Sequence, residues 1–304
     1  MSWETELDKW TADYLPDMKW AHDEPMSRHT SFRVGGPARR MAFPTACEQV
    51  VLLLAKARDC GARPLVIGNG TNLLAPDEGL DRLVIDTSAG LNRLEADGEH
   101  LTAEAGVPLA RLADLACKQG LTGLEFAHGI PGTVGGAVCM NAGAYDGEIK
   151  QVVEQVTVLF PEEGIRMLSC EEMDFGYRHS LLSDHPDAVV LRAVFRLHSG
   201  ERDAIAEKMR SLLARRKASQ PLEYPSAGST FKRPTGYFAG TLIDQCGLKG
   251  LQVGGAQVSE KHAGFIINTG GATAADILEL IRQVQERVLA EKGVRLEPEV
   301  RIVR

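Results

Sequence analysis

Apolar residues recur along this chain with two different periods, and the changes of period mark its elements. Residues 4–15 place Leu7, Trp10, Tyr14 and Leu15 at helical spacing before Pro16 and Pro25 break the chain, which predicts a short amphipathic helix acting as a docking appendage. RRMAFP (39–44) predicts a strand, 47–60 a helix with Val50, Val51, Leu54 and Ala57 turned inward, and 64–67 a second strand ending in a GNGTN turn. Together these make a β-α-β unit. From 82 to 106 the pattern shortens to RLVID, LNRLEA and HLTAEAG, separated by turn residues, and a helix follows at 109–119. Strands are predicted again at 152–160, 165–168 and 188–197.

After Ser199 the texture changes. A charged helix at 203–218 closes the preceding sheet, and QPLEYPSAGSTFKRPTGY (220–237) is punctuated by proline with little periodicity, as at a domain boundary. Beyond it the pattern predicts a helix at 239–246, strands at 255–258 and 264–268, a long helix at 274–291 and a terminal strand at 295–303. The fold class is α+β, in two lobes with a cleft.

Composition narrows the partners. A length of 304 residues suits about two domains, and 44% hydrophobic with 25% charged residues is ordinary for a globular protein with a real core. The net charge of -7, with basic residues clustered only as pairs such as Arg39-Arg40 and Arg215-Arg216, argues against nucleic acid as a partner. Six cysteines without a C-x-x-C pair indicate reduced thiols, neither a zinc site nor a disulfide framework, and the dispersed histidines give no metal spacing. The polar, acidic N-terminus and the lack of a membrane-length apolar run predict a cytoplasmic protein without membrane contact.

The densest chemical signal is 129–147, GIPGTVGGAVCMNAGAYDG, where glycine and other small residues let main-chain N–H groups approach a ligand closely. It is either a tightly packed buried loop or a cradle for an anion such as a cofactor pyrophosphate. A second small-residue loop, IGNGTNLL (67–74), follows an apolar run, so two cradles suggest a long ligand. Arg178 in FGYRHS is either an anion clamp or enolate stabiliser, or a surface ion-pairing residue stacked on Tyr177. Ser226, Ser229 and Thr230 surround Gly228 in a proline-bounded loop, where hydroxyls satisfy local backbone or, at Ser229, serve as a proton donor; no G-x-S-x-G elbow supports a nucleophile. In LEPEVRIV, alternation places Leu296, Pro298 and Val300 on one face and Glu297, Glu299 and Arg301 on the other, so a glutamate reaches the cleft or the segment is a solvated edge strand. His262 precedes an apolar strand.

Seven signatures then occur in one order: HTSFRVGGPA (29–38), IGNGTNLL (67–74), GIPGTVGGAVCMNAGAYDGE (129–148), FGYRHS (175–180), YPSAGSTFKRP (224–234), AGTLIDQCGLKG (239–250) and LEPEV (296–300). In this the chain resembles the bacterial UDP-N-acetylenolpyruvoylglucosamine reductases (MurB family), in their shorter form, across 29–303. The resemblance implies an FAD-binding fold of the vanillyl-alcohol-oxidase (PCMH) type in two subdomains, at 26–90 and 91–200, after a 1–25 helical appendage. A C-terminal α+β substrate-binding domain, 201–304, returns its last strand to the cleft. It implies non-covalent FAD held by Ile67, Gly68, Asn69, Gly70, Thr71, Asn72 and Leu73, and by Gly129, Ile130, Pro131, Gly132, Thr133, Gly135, Gly136, Ala137, Asn141, Ala142, Gly143, Ala144 and Tyr145. NADPH is the hydride donor, and UDP-N-acetylglucosamine enolpyruvate is reduced to UDP-N-acetylmuramate for peptidoglycan synthesis. By the same resemblance Arg178 and Glu299, the latter protonated, stabilise the enolate, Ser229 is the general acid, and Lys232, Lys249 and Tyr177 contact substrate. No counterpart of the longer form's substrate-covering tyrosine is found; Tyr224 and Tyr237 are the candidates. The resemblance leaves oligomeric state open, with a monomer expected. Another FAD oxidoreductase of the same fold, or a non-catalytic nucleotide-sugar binding module, are the competing readings.

Overall fold

The computed structural model describes residues 2–303, and the chain divides into two compact units. The first holds the residues up to His22 with Arg39–Asn69 and Arg82–Ala214; the second holds Asp23–Ala38, Gly70–Asp81 and the residues from Arg215 onward. The expected boundaries at 25, 90 and 200 therefore do not coincide with the observed ones. Segments 23–38 and 70–81 group with the C-terminal residues because their side chains are built into that core. Phe32 is fully buried and its carbonyl accepts Asn268 Nδ2 at 2.9 Å, while the Asp77 carboxylate accepts the N–H groups of Ala274 and Ala275 at 2.7 and 2.9 Å.

In the first unit a four-stranded sheet runs in the order Lys19–Pro25, Pro37–Phe43, Leu80–Asp86, Leu65–Ile67, the last pair parallel. Helices α1 (Trp3–Tyr14) and α2 (Cys47–Asp59) cover it. α1 is part of this core and not a docking appendage: Leu7 is fully buried with Ala42, Leu53 and Ile85, and Arg40 grips Asp8 through two hydrogen bonds of 2.6 Å. Burial raises the Asp8 carboxyl pKa, but hydrogen bonds from Arg40 and Trp20 outweigh it and hold it below the usual range. α2 buries Val50, Leu53 and Ala57, whereas the expected Val51 and Leu54 are half-buried and pack beside Leu91, Leu159 and Leu191.

The same unit contains a five-stranded antiparallel sheet in the order Gly164–Ser169, Val153–Phe160, Val189–Arg196, His100–Glu104, Leu94–Asp97. α3 (Leu109–Lys118) presents Leu109, Leu112, Ala113 and Ala116 to its core, the i, i+3, i+4, i+7 stripe of an amphipathic helix. The glycine-rich stretch, unpromising as helix or strand, forms both in miniature. α4 (Val134–Cys139) is held by buried Val134 and Val138, and a hairpin pairs Gly143–Ala144 with Gly147–Glu148. Tyr145 and Asp146, at φ 53° and 65°, form its two-residue turn, as a type I′ hairpin requires. The solvated helix α5 (Arg202–Ser219) inserts only Ile205 and Met209.

In the second unit α6 (Ala239–Gln245) and α7 (Ala274–Lys292) pack on an antiparallel sheet ordered Gln252–Val253, Ala256–Val258, Ile266–Asn268. Thr273 and Asp276 form a reciprocal capping box at the start of α7, and Gly293, φ 66°, ends it. The expected strand over 295–303 is shorter. Only Arg301–Ile302 forms a ladder among the described residues, parallel to Leu73–Leu74, because the chain changes partner at Pro298, which bridges Phe231. Leu296, Val300 and Val303 are the buried positions and Glu299 is half-buried like Pro298, so strict alternation fails there. Among the described residues no helix is long and apolar enough to cross a membrane.

Candidate active site

Two small-residue loops of the first unit are stitched together where glycine permits it. The Ile67 carbonyl accepts both the N–H and the hydroxyl of Thr87, at 3.0 and 2.9 Å, which anchors the end of its strand. A Cβ on the next residue, Gly68, would run into Thr133 Oγ1, so only glycine lets these loops meet. Asn69 Nδ2 adds a hydrogen bond to the Pro131 carbonyl at 2.8 Å. At the start of α4 the N–H groups of Val134 and Gly135 are taken by Val107 and Ala105, at 2.9 and 2.8 Å. Gly136 differs: it is exposed, its N–H has no acceptor among the described residues, and a Cβ there would meet nothing nearer than Thr133 Oγ1 at 3.8 Å.

Gly68, Asn69 and Thr133 thus join the two loops, and the exposed Gly136 N–H beside them is an uncharged donor of the kind that suits the pyrophosphate of a dinucleotide cofactor. The other expected cofactor residues of this unit divide. Ile67, Gly135, Ala137, Asn141 and Ala142 are buried packing residues, Gly129 and Ile130 are half-buried in the approach turn, and Pro131 is exposed. The glycine density therefore serves both close packing and ligand approach, which spacing alone does not separate.

Arg178 stands on a turn held by the NAGAY segment. Asn141, fully buried at φ 43°, donates from Nδ2 to the Gly176 carbonyl and to Glu148 Oε2, both at 2.9 Å, and its Oδ1 accepts the Lys150 N–H. Gly176 and His179 exchange hydrogen bonds of 3.1 and 3.3 Å across the turn, Arg178 adopts φ 53°, and its Nη2 donates to the Gly143 carbonyl at 3.1 Å. The guanidinium lies 5.2 Å from the ring centre of exposed Tyr177, so stacking and backbone anchoring coexist. Of the seven non-glycine residues with positive φ among the described residues, five, Asn141, Tyr145, Asp146, Asp174 and Arg178, fall in these two linked segments. Concentrated backbone strain of this kind accompanies functional sites.

In the second unit the remaining half of the first loop meets the C-terminal segment. Gly70, φ 59°, is buried beneath the His29 carbonyl, which a Cβ would strike, and its own carbonyl accepts the Ser31 N–H at 3.1 Å. The HTSFRVGG signature thus seats this loop, a role that its sequence did not suggest. Thr71 and Leu73 are half-buried. Asn72, expected to serve the cofactor, turns its amide to Glu299: Nδ2 donates to the Glu299 carbonyl at 3.1 Å, and the Asn72 carbonyl accepts the Arg301 N–H at 2.9 Å. The Glu299 N–H in turn donates to the Thr230 carbonyl at 2.8 Å.

Ser229 precedes that anchor and follows Gly228, φ 74°. Its hydroxyl is exposed and has no partner among the described residues, whereas Thr230 is buried with Oγ1 accepting the Ile266 N–H at 3.0 Å. The structure therefore brings Ser229 and Glu299 together through one backbone hydrogen bond at Thr230. Lys232 pairs with Glu297 at 3.6 Å and Lys249 with Asp244 at 3.1 Å. Tyr224 and Tyr237 are both exposed. His262, which sequence left without a role, is half-buried: its Nδ1 accepts the Gly264 N–H at 3.1 Å, and burial, with Lys249 nearby, pushes its pKa down.

Comparison with known proteins joins these parts. The family model described as the UDP-N-acetylenolpyruvoylglucosamine reductase C-terminal domain matches residues 220–303, and an FAD binding domain model matches 38–169. The UDP-N-acetylenolpyruvoylglucosamine reductase of Pediococcus pentosaceus is 48% identical over 98% of both chains. That of Caldanaerobacter subterraneus subsp. tengcongensis is 49% identical over 96% of both. The crystal structure of the UDP-N-acetylenolpyruvylglucosamine reductase from Thermus caldophilus superposes with a TM-score of 0.80 at 38% identity, covering 94% of this chain and 99% of that one. An alkyldihydroxyacetonephosphate synthase, at 17% identity and a TM-score of 0.50, shares the fold over 66% of this chain and 41% of its own.

Proposed function

This chain belongs to the UDP-N-acetylenolpyruvoylglucosamine reductases, and from that premise we propose how its own residues carry the reaction. The enzyme is an FAD-dependent oxidoreductase that uses NADPH to reduce UDP-N-acetylglucosamine enolpyruvate to UDP-N-acetylmuramate in peptidoglycan synthesis. Bound FAD supplies the hydride relay between NADPH and the enolpyruvyl double bond. Gly68, Asn69, Thr133 and Gly136 would hold its pyrophosphate, where the two small-residue loops meet.

Hydride arriving at the terminal carbon of the enolpyruvyl group leaves negative charge between the adjacent carbon and the carboxylate. Arg178 offers a fixed fork of donors to that carboxylate, anchored at Gly143 so that it does not reorganise as charge develops. Glu299, protonated, donates a hydrogen bond to the enolate oxygen. Ser229 then gives its proton to the neighbouring carbon. The observation that carries this assignment is the hydrogen bond from the Glu299 N–H to the Thr230 carbonyl, which sets Glu299 beside the residue that follows Ser229 in the chain. Lys249 and Tyr177 contact the substrate. Lys232, half-exposed beside Glu297, supplies positive charge that favours the serine alkoxide.

We place this enzyme in the cytoplasm, where NADPH is available, acting on a small nucleotide-sugar without a nucleic-acid or membrane partner. The test is anaerobic. NADPH bleaches the flavin of the holoenzyme, and UDP-N-acetylglucosamine enolpyruvate then restores its colour. A protein that bleaches but does not recover with that substrate has a different oxidant, and the assignment fails.

A further inference from the structure

We propose that Asn72 is a positioning residue for Glu299, so that the side chain at the end of the GNGTN loop serves the acid chemistry. Asn72 holds the C-terminal segment just after the glutamate, its Nδ2–H on the Glu299 carbonyl at 3.1 Å and its own carbonyl on the Arg301 N–H at 2.9 Å. The Glu299 backbone is tethered on its other side by its N–H on Thr230, at 2.8 Å. Pro298 contributes no N–H and Leu73–Leu74 pairs only with Arg301–Ile302, so among the described residues no ladder fixes the chain between Pro298 and Arg301. The side chain of Asn72 adds a hold on the Glu299 carbonyl, between the tethered N–H groups of Glu299 and Arg301 and beside buried Val300. Truncation of that side chain to a methyl group would leave the Glu299 carbonyl to water and loosen the backbone that carries the carboxyl, and a displacement on the scale of an ångström at a reacting group costs about 100-fold.

This rests on the role given to Glu299 above, and the experiment separates the two. Asn72→Ala, Glu299→Ala and the double variant are compared in FAD titration of the apoprotein, thermal midpoint, and stopped-flow rates of the two half-reactions. Asn72→Ala is expected to keep FAD affinity, the midpoint and flavin reduction by NADPH within about twofold of native, and to slow reoxidation by substrate about 10–100-fold. In a Glu299→Ala background it adds little, because it acts through that side chain. Weakened FAD binding, an equal loss in both half-reactions, or full additivity with Glu299→Ala overturns the proposal. If Glu299→Ala itself leaves reoxidation unchanged, the role of Glu299 is what fails.

Discussion

Arg178, in the first unit, rides on a turn whose backbone is forced to positive φ, whereas Glu299, in the second, lies on chain free of left-handed residues and is pinned at its N–H and its carbonyl. Each is held by an asparagine from a small-residue loop: Asn141 donates to the Gly176 carbonyl behind Arg178, and Asn72 to the carbonyl of Glu299 itself. The difference lies in what the asparagine does besides. Asn141 is buried, with hydrogen bonds to Gly176, Glu148 and Lys150, so it is structural as well as functional. Asn72 is half-buried and its side chain has one partner among the described residues. Strain locks a side chain whose surroundings already over-determine it; a tether suffices where they do not.

The comparison is broken most severely at Arg178. Arg178→Ala should lower the rate of substrate reduction about 10²–10³-fold, as loss of a positioned charge donor does, while leaving flavin reduction by NADPH near native. Arg178→Lys should recover only part of this, since an ammonium lacks the fork that engages a carboxylate bidentately. Full recovery in stopped-flow reoxidation would mean that charge alone matters and that the strained turn is incidental.

Next in size is the contrast between the asparagines. Asn141→Ala leaves the Gly176 carbonyl and Glu148 without this donor inside the protein, and should destabilise by about 1–3 kcal/mol in urea unfolding of the apoprotein. Asn72→Ala should not. Equal stability losses at the two positions would erase the distinction drawn between them.

Acid sensitivity sharpens the comparison further, because the first unit carries a buried carboxylate. Burial raises the pKa of Glu125, but the Thr122 hydroxyl, backbone N–H groups including that of Gly123, and Lys208 together hold it below the usual range. A lowered folded-state pKa contributes stability that is complete above the ordinary glutamate value of about 4.3 and is lost as pH falls through the folded value. Thermal midpoints should therefore drop below about pH 4, and Glu125→Gln should flatten that drop. An unchanged slope in the variant would show that other carboxylates carry the acid response. The smallest effect belongs to Asp146, φ 65°, in the hairpin turn. Asp146→Gly should alter stability by less than about 1 kcal/mol and leave both half-reactions intact, as calorimetry and stopped-flow would show.

Much of this was legible in the sequence, for reasons that differ by region. Helices with a clean apolar stripe, such as Leu109, Leu112, Ala113 and Ala116, announce themselves because one buried face dictates the period. The signatures around Gly68, Arg178, Ser229 and Glu299 pointed to the family, because close backbone approach and charge placement allow few residue types. The C-terminal strand was overestimated because alternating residue types do not reveal a change of partner at Pro298. The link from the Asn72 side chain to Glu299 was not legible. The two residues are 227 positions apart, and no local spacing encodes a side chain that turns from its own loop to another segment. The α1 helix was misplaced likewise, since the ion pair between Asp8 and Arg40 that ties it down is a long-range contact.

The most direct test of the central claim, that the residues around Thr230 act on the substrate and not on the cofactor, is the pair of half-reaction rates in Ser229→Ala. Anaerobic stopped-flow should show bleaching by NADPH at close to the native rate, followed by recovery with UDP-N-acetylglucosamine enolpyruvate slowed about 10²–10⁴-fold, the range for removal of a positioned general acid. Equal slowing of both steps, or recovery at the native rate, would contradict it.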